Sequence, residues 1–391
     1  MIHLFVNALA ATAGGGLTYA RNVIPQIAAR NDAMATVLLD AGLRREFQAL
    51  SNIEFLEWVG SSRPGLRFWL EQRTVRRLAL RSGADVLLSA GNFAVWNSPL
   101  PQILLSRNSL YTSRDFDRDL RSRCETGLWL DTRLKAEFAK WSILAADRVV
   151  APSQAFAEEL HRWTGVRISA VHHGFDRETF LSDHSRLPDA MREKLECAEG
   201  ALRLLFVSHY NYYRNFETLI RALPTIRREL APRPIRLFLT CKLAPHANPG
   251  AYRPERAAAL VRQLNLSEEV VELGTFPYSL LHHMYRSADV YVTPAYAESF
   301  AHPLVEAMSS GLPVVASDLP VHREICGDAG VYFDRFSPED LAQRVLAVGG
   351  SSELASHLAR AGVVRASAFS WKRHVDQILS LAREVGSQSR N

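Results

Sequence analysis

The chain has 391 residues, of which 47% are apolar and 22% charged, and its formal net charge is +5. This length favours two domains, and the composition is that of a globular protein, not a disordered or collagen-like one. No apolar run reaches the roughly 18–20 residues of a membrane helix, so the sequence predicts no transmembrane segment. The basic charge favours anionic partners such as nucleotides, phospholipids and acidic glycans, and no nucleic-acid-binding motif accompanies it.

The first sixteen residues, MIHLFVNALAATAGGG, share an A-x-A pattern with signal peptides but have no basic start. We interpret them as a first strand that runs into a glycine turn. The four cysteines, Cys124, Cys197, Cys241 and Cys326, form no C-x-x-C pair. This pattern predicts free thiols in a reducing, cytoplasmic environment.

Apolar runs alternate with helical stretches along the whole chain, which predicts parallel sheets covered by helices on both faces. The first series of candidate strands lies at 2–7, 35–40, 53–59, 84–90, 102–107, 147–153 and 166–173. The pattern restarts with candidate strands at 201–209, 235–241, 269–276, 288–294, 312–318 and 329–334. The sequence therefore predicts an α/β protein with two Rossmann-like domains in series.

A polar, strand-poor stretch at about 176–200 separates the two series and suits a linker. We expect an N-terminal domain over 1–175 and a C-terminal domain over 176–367. Ligands of open parallel sheets bind outside the carboxyl ends of the strands. Two sheets facing across a cleft would therefore hold one substrate on each side, with the acceptor on the N-terminal domain and the donor on the C-terminal one.

The turn after the first strand contains Gly14, Gly15 and Gly16. Consecutive glycines let backbone amides approach a ligand closely. A dinucleotide fold is the alternative interpretation, since Asp40 ends the second strand where a ribose-binding acid would fall. Tyr19, however, occupies the place of the third glycine of that fingerprint, where a small residue allows close helix–strand packing.

Residues 63–81, RPGLRFWLEQRTVRRLALR, form a basic helix that carries Phe68 and Trp69. A basic amphipathic helix with aromatic side chains can lie on an anionic membrane. The alternative, which we favour, is a helix that packs one face on the sheet and leaves its basic face in water.

Arg107 and Asn108 end the predicted strand at 102–107, on the edge that would face the cleft. They are candidates for contact with the acceptor or the donor sugar. The alternative is a polar strand end that binds nothing.

The run DFDRD, from Asp115 to Asp119, looks like a metal site but lacks the glycine and the late glutamate of a calcium loop. Arg114, Arg118 and Arg121 are interleaved with these acids. We therefore expect salt bridges on a solvated face instead of bound metal.

Two acids with seven residues between them stand in AYAESFAHPLVEAMSSGLPVVASDLPVHRE, residues 295–324. Glu298 lies in a turn directly after a predicted strand, and Glu306 lies just inside a helix predicted to begin at Pro303. The free amides of that first turn favour an anion such as a phosphate. A carboxylate on each side of such a site suits a nucleotide sugar, whose diphosphate lies between two hydroxyl-rich groups. The alternative is that Glu306 only complements the helix dipole.

The segment resembles the E-x7-E signature of retaining glycosyltransferases with the GT-B architecture, in particular family 4, whose common form is E-G-F-G-L-P-x-L-E-A-M-A-x-G-x-P-V-V-A-S. The matching positions are Glu298, Phe300, Pro303, Glu306, Ala307, Met308, Gly311, Pro313, Val314, Val315, Ala316 and Ser317. Ser299 and Ala301 stand where the family usually has Gly. Alanine keeps the site small but restricts the backbone angles that Gly would allow.

Residues 206–224, FVSHYNYYRNFETLIRALP, resemble the family segment V-G-R-x-x-x-x-K-N-x-x-x-L-I. Arg214 falls at the phosphate-binding Lys position, and His209 falls where the family usually has Arg. An arginine beside a diphosphate offsets leaving-group charge without metal, whereas a histidine does so only when protonated or as a neutral donor. The alternative for Arg214 is a solvated charge at a helix start.

Residues 272–292 resemble the family's nucleotide-base loop, in which the backbone of Thr275 and Phe276 would face the base. The resemblance thus implies a full donor site, with Glu298 and Arg214 as its catalytic members. Glu298 would orient the donor sugar and Glu306 the ribose. The implied donor-binding residues are Gly15, Gly16, His209, Arg214, Thr275, Phe276, Glu298, Ser299, Phe300, Ala301 and Glu306.

The resemblance implies a retaining glycosyltransferase that moves a sugar from a nucleotide diphosphate sugar to a hydroxyl on a glycan or lipid-linked acceptor. It implies no metal and no cofactor beyond the nucleotide sugar, which is a co-substrate, and a terminal helix at about 368–391 that packs back on the first domain. We expect a cytoplasmic protein, at the inner face of the membrane if the basic helix binds lipid. A GT-B sugar-nucleotide epimerase and a non-catalytic nucleotide-sugar-binding protein remain as alternatives.

Overall fold

The computed structural model describes residues 1–11, 14–58, 64–196 and 198–388, and it leaves out the side chains of 64–67. Cys124, Cys241 and Cys326 are free thiols, and Cys197 lies outside the described residues. Arg63, the first residue of the predicted basic helix, also lies outside them.

Thirteen strands are present in the described parts of the chain, at the places where the sequence predicts them. The first seven are β1 (Ile2–Asn7), β2 (Ala33–Asp40), β3 (Ile53–Trp58), β4 (Val86–Ser89), β5 (Gln102–Leu105), β6 (Arg148–Ala151) and β7 (Ile168–Ala170). The other six are β8 (Leu202–Phe206), β9 (Ile235–Leu239), β10 (Val270–Glu272), β11 (Val290–Thr293), β12 (Val314–Ser317) and β13 (Gly330–Phe333).

Helices follow most of these strands, whereas β4 and β5 are joined by a loop without a helix. Those of the first half are α1 (Gly14–Ala28), α2 (Ala41–Arg44), α3 (Pro64–Ser82), α4 (Arg114–Ser122), α5 (Thr126–Ala145) and α6 (Gln154–Thr164). Those of the second half are α7 (Arg177–Leu181), α8 (Asp189–Glu196), α9 (Phe216–Leu230), α10 (Glu255–Gln263), α11 (Leu281–Arg286), α12 (His302–Ser309), α13 (Pro320–Cys326), α14 (Pro338–Gly350), α15 (Ser352–Ala366) and α16 (Trp371–Gln388).

The strands form two sheets in which every pair runs parallel. The seven-stranded sheet has the order β3-β2-β1-β4-β5-β6-β7, and the six-stranded sheet has the order β10-β9-β8-β11-β12-β13. Each order reverses once, between β1 and β4 and between β8 and β11, as in doubly wound nucleotide-binding folds. The predicted pair of parallel α/β sheets is confirmed.

The chain folds into two compact units. The first unit comprises 1–112, 130–174 and 370–391, and the second comprises 113–129 and 175–369. The sequence predicts one domain over 1–175, whereas residues 113–129 and residue 175 belong to the second unit. The reason lies in the side chains of α4, described below.

The strands of each sheet are almost wholly apolar because helices cover both faces. Every residue of β4, β5, β11 and β12 is buried. The terminal helix α16 contributes one apolar stripe to the core of the first unit, through Trp371, Val375, Ile378, Leu379, Ala382 and Val385. Within the described residues, no helix combines the length and apolar composition that crossing a bilayer requires.

Tyr19 shows why the third glycine of a dinucleotide fingerprint is absent from α1. Its ring is 2% exposed and packs edge-on against Trp371 and His374 of α16. Its hydroxyl lies 3.1 Å from Nε2 of His374. The position that a dinucleotide fold keeps small is therefore filled by a contact between α1 and the terminal helix.

Candidate active site

The order reversal of the second sheet places the loops that follow β8 and β11 beside each other at the carboxyl ends of their strands. In open α/β sheets this is where ligands bind. Arg214 lies in the loop after β8 and Glu298 in the loop after β11, and the two side chains form an ion pair. Residues 84 positions apart in the sequence are thus brought together by sheet topology.

This ion pair is largely removed from water, since the two side chains are 18% and 10% exposed. Burial opposes the charge on Arg214, but the carboxylate of Glu298 and the phenols of Tyr213 and Tyr291 together outweigh burial and raise the pKa of the guanidinium above its ordinary value. Arg214 also lies over the ring of Tyr213, 5.2 Å from its centroid. The arrangement fixes a permanent positive charge at the sheet edge and aligns one carboxylate against it.

His209, the other predicted phosphate contact, lies earlier in the loop after β8. Burial and the positive charge on Arg214 lower its pKa below the ordinary value. The environment within the chain therefore favours the neutral imidazole.

Asn215 holds the site loops together, a role that the sequence analysis did not assign. It caps α9 in the left-handed conformation, with φ of +55°. Its side-chain amide donates to the carbonyl of Pro294, at 3.1 Å, and to that of Arg335, at 2.7 Å. One amide therefore ties the loop after β8 to those after β11 and β13. The available signal was the Asn of the family's K-N pair, which matches this position.

Glu306 lies in the middle of α12 and is 4% exposed. Its Oε2 accepts a hydrogen bond of 2.7 Å from the hydroxyl of Tyr285, and its Oε1 accepts one of 3.2 Å from Tyr278. Burial raises the pKa of Glu306 to about 7, although the two hydroxyls act in the opposite direction. A carboxyl that changes charge near neutral pH and is oriented by two tyrosines is suited to receive hydroxyl groups of a ligand.

The two tyrosines differ in exposure, which matters for access to Glu306. Tyr285 is buried, whereas Tyr278 is 49% exposed. Tyr278 comes two residues after Phe276, so its bond to Glu306 places the predicted base loop beside α12. Thr275 is exposed and Phe276 is half-buried. Neither tyrosine was assigned a role from the sequence, because no spacing rule connects them to Glu306.

The helix α12 begins at His302, one residue before the predicted start, and has no side-chain cap. Its capping position is Ala301, whose φ is +62°. The family usually has Gly there, and alanine adopts this left-handed conformation at a cost of about 1–2 kcal/mol. Phe300 is buried against Phe369 and fixes the chain as it enters the helix. The strained turn sets the first helical amides at the carboxyl edge of β11, next to Ser299 and Glu298.

The predicted contacts of the first unit come together around its three glycines, which begin α1 instead of forming the predicted turn before it. Nη1 of Arg107 donates to the carbonyl of Gly15 at 3.0 Å. A Cβ on Gly16 would lie 3.0 Å from the same guanidinium and 3.2 Å from the carbonyl of Ala10, so a side chain there would require these neighbours to shift by a few tenths of an ångström. Asn108 caps a short helical turn, since its side chain accepts from the amide of Leu110 at 3.1 Å. Arg107 and the glycines thus form one cluster, while Asn108 has a local structural contact.

The acids of DFDRD take part in salt bridges, as expected. Asp115 pairs with Arg118 and Asp117 with Arg121. Asp119 pairs with Arg123 and accepts a 2.6 Å hydrogen bond from the hydroxyl of Tyr296. Two further ion pairs, between Asp115 and Arg335 and between Arg123 and Glu217, attach α4 to the body of the second unit. These contacts explain why 113–129 belongs there.

Two family models match the chain in succession. The model described as Glycosyltransferase Family 4 matches residues 13–179, and the one described as Glycosyl transferases group 1 matches residues 189–363. The D-inositol 3-phosphate glycosyltransferase of Mycolicibacterium vanbaalenii is 32% identical over 245 residues, which are 60% of this chain and 52% of that protein. The chain spans about half the length of such curated relatives.

Solved structures share the fold over the whole chain. Sucrose-phosphate synthase from Thermosynechococcus elongatus gives a TM-score of 0.77 at 18% identity, covering 99% of this chain and 100% of that one. Anabaena HepE in complex with UDP-glucose gives 0.71 at 16% identity, covering 98% of this chain and 100% of that one. At identities of 16–18%, these similarities show that the chain shares the fold of the two solved structures.

Proposed function

Because this chain belongs to the GT-B glycosyltransferases of group 1 and family 4, we propose that it transfers a sugar from a nucleotide diphosphate sugar to a hydroxyl with retention of the anomeric configuration. The observation that carries the proposal is the buried pair of Arg214 and Glu298 at the switch point of the second sheet, together with the buried acid Glu306 on the helix that follows. One permanent cation and two aligned acids match a diphosphate between a sugar and a ribose.

The proposed roles follow from these contacts. Arg214 meets the diphosphate, whose negative charge grows as the glycosidic bond breaks, so the contact is stronger in the transition state than in the ground state. Glu298 orients the donor sugar, and its bond to Arg214 links sugar position to phosphate position. Glu306 accepts hydrogen bonds from the ribose hydroxyls. The amides at the start of α12 supply further positive potential to the phosphates.

We propose that the reaction needs no metal and no resident cofactor. The charge that a divalent cation would offset elsewhere is met by Arg214 and the α12 amides. The sugar passes through an oxocarbenium-like state, and the acceptor attacks from the face that the diphosphate leaves. A phosphate oxygen then takes the acceptor proton, so the roles proposed for Glu298 and Arg214 include no general base.

The donor class has support from a neighbour, since HepE was solved with UDP-glucose. The acceptor is proposed to be a glycan or lipid-linked hydroxyl in surface polysaccharide or glycolipid synthesis, in the cytoplasm at the inner face of the membrane. Gly15, Gly16 and Arg107 of the first unit would contact the donor phosphates or the transferred sugar. Asn108 remains a weaker candidate because its side chain already caps a turn.

The test is a panel of nucleotide sugars screened for slow hydrolysis, with product anomers identified by NMR. We expect one donor to be hydrolysed with retention in the presence of chelator. Arg214→Ala should lower turnover more than nucleotide affinity, and Arg214→Lys should recover much of the rate because a point charge suffices.

Three results would contradict the proposal. Activity that chelator abolishes and magnesium or manganese restores would show a metal requirement. Release of an epimerised sugar would indicate the epimerase instead. Tight nucleotide-sugar binding without turnover across the panel would indicate a binding protein.

A further inference from the structure

The helices α3 and α5 of the first unit each have an apolar face that does not contribute to the core. On α3, Val75 and Ala79 are buried against the sheet, as the packed-helix interpretation expects. Trp69 and Leu80, which lie on another side of the helix, are exposed. One face of α3 thus packs on the sheet, and another face remains available for a membrane surface.

Exposed apolar side chains are concentrated on these two helices. Among the described residues, ten large hydrophobic side chains are exposed, and six of them lie on α3 and α5. We call these six the tryptophan patch: Trp69 at 58%, Leu80 at 58%, Leu130 at 64%, Leu134 at 57%, Trp141 at 53% and Leu144 at 56% exposure. Monomeric soluble proteins rarely leave a contiguous patch of this kind in water without a binding role.

Aromatic rings connect the two helices into one surface. The ring of Trp69 lies 6.1 Å from that of Trp96, which lies 6.0 Å from Trp141. Phe138 packs on both Trp96 and Trp141, at 5.9 and 5.6 Å. Leu134 stands one helical turn before Phe138, on the same side of α5. The exposed rings are therefore held in place by half-buried ones beneath them.

The charges around the patch have one dominant sign. Residues 68–82 and 130–145 carry seven basic and three acidic side chains, so these two segments account for four of the five net positive charges of the chain. The basic residues are Arg73, Arg76, Arg77, Arg81, Arg133, Lys135 and Lys140, and the acidic ones are Glu71, Asp131 and Glu137. The four arginines of residues 68–82 are exposed.

We propose that the tryptophan patch docks on an anionic phospholipid bilayer. Tryptophan side chains favour the bilayer–water interface, and exposed arginines beside them are attracted to anionic headgroups. A second copy of this chain fits less well, because a two-fold contact through the patch would bring two sets of the same basic side chains together. The docking goes beyond the proposed sugar transfer and would hold the enzyme where a lipid-linked acceptor lies.

The test is sedimentation of the full chain with vesicles, without nucleotide, so that its outcome does not depend on the catalytic proposal. We expect binding to vesicles that contain phosphatidylglycerol, little binding to pure phosphatidylcholine, and release by salt. Trp69→Ser and Trp141→Ser should each weaken partition about tenfold, since each withdraws a half-exposed ring from the bilayer. Arg76→Ala and Arg77→Ala should each weaken it about fivefold.

The matched control is Val364→Ser, which removes an apolar side chain that is 74% exposed on α15 and outside the patch. It should leave partition unchanged, and circular dichroism should report the same fold for all variants. Equal binding to neutral and anionic vesicles would contradict the proposal that the bilayer must be anionic. The protein could also fail to sediment with either vesicle and form a dimer that dissociates on Trp141→Ser. That result would contradict membrane docking and would show that the tryptophan patch binds a second copy of the chain.

Discussion

The two sheets share one strand order around their reversals, yet the residues at the two switch points differ in kind. In the second unit the loops after β8 and β11 meet through a buried ion pair between Arg214 and Glu298. In the first unit the helix after β1 begins with Gly14, Gly15 and Gly16, and Arg107 bonds to the backbone carbonyl of Gly15. The same topology thus presents a fixed charge pair in one unit and backbone groups in the other.

The difference shows what topology contributes and what side chains contribute. The order reversal opens a place at the carboxyl edge of each sheet whatever residues occupy it. The chemistry then depends on the few residues that follow each strand. Acids and a buried cation suit a strongly charged ligand that must be oriented, whereas glycines suit close approach of a ligand to the main chain.

The largest expected effect comes from breaking the buried pair. Glu298→Ala should lower the free energy of unfolding by about 3–5 kcal/mol, because Arg214 would be left as an uncompensated buried charge. The matched control is Glu46→Ala in the first unit, whose partner Arg21 lies 2.6 Å away in a pair that is 46% and 40% exposed. That change should cost at most about 1 kcal/mol. Urea unfolding of both variants measures the difference. Equal losses of unfolding free energy would show that Arg214 without Glu298 is not an uncompensated buried charge.

A second effect concerns pH and Glu306. Burial raises its pKa from the ordinary 4.5 to about 7, so between these values the folded state holds a proton that the unfolded chain has released. The stabilising contribution is complete below pH 4.5 and is lost as the pH rises through about 7. Glu306→Gln should remove this dependence, which amounts to about 3 kcal/mol. Parallel stability curves for wild type and variant across that window would contradict the raised pKa.

Substitutions of the two tyrosines that bond to Glu306 should change nucleotide affinity in opposite directions, provided that Glu306 binds the ribose. Tyr285→Phe removes a buried donor that orients the carboxylate, and we expect nucleotide diphosphate affinity to fall about tenfold. Tyr278→Phe removes the hydroxyl of a half-exposed residue. This hydroxyl bonds to Oε1 of Glu306, which a ribose hydroxyl would use, so nucleotide affinity should rise. Calorimetry on the folded variants measures both. Equal losses in the two variants would mean that Tyr278 does not compete with the ligand.

The smallest expected effect is on stability and concerns two left-handed backbone positions, one at the start of α12 and one at the start of α1. Ala301 has a φ of +62° and Gly14 a φ of +53°. Ala301→Gly should raise stability by about 0.5–1 kcal/mol, because relief of the left-handed strain exceeds the added entropy of the unfolded chain. Gly14→Ala should lower it by about 1 kcal/mol, since a Cβ there meets nothing within 4 Å and only the backbone is strained. Thermal denaturation of the pair tests this, and changes of the same sign would contradict it.

The sequence by itself determined the two parallel sheets, because strands buried on both faces must be apolar throughout and so stand out from the helices between them. The spacing of Glu298 and Glu306 around a predicted helix start indicated an anion site, whereas Arg214 was singled out by the resemblance to the family 4 segment. Their ligand roles remain predictions. The helix start at Pro303 was placed within one residue of the observed one.

Only the tertiary structure decided which distant residues share a site. The contact between Arg214 and Glu298, the tyrosines on Glu306 and the bridging amide of Asn215 all join elements far apart in the chain. The same holds for α4, whose acids read as a solvated cluster but find partners across the second unit. Local patterns are set by the period of a strand or helix, whereas pairing across a sheet is set by strand order, and strand order leaves no trace in local spacing.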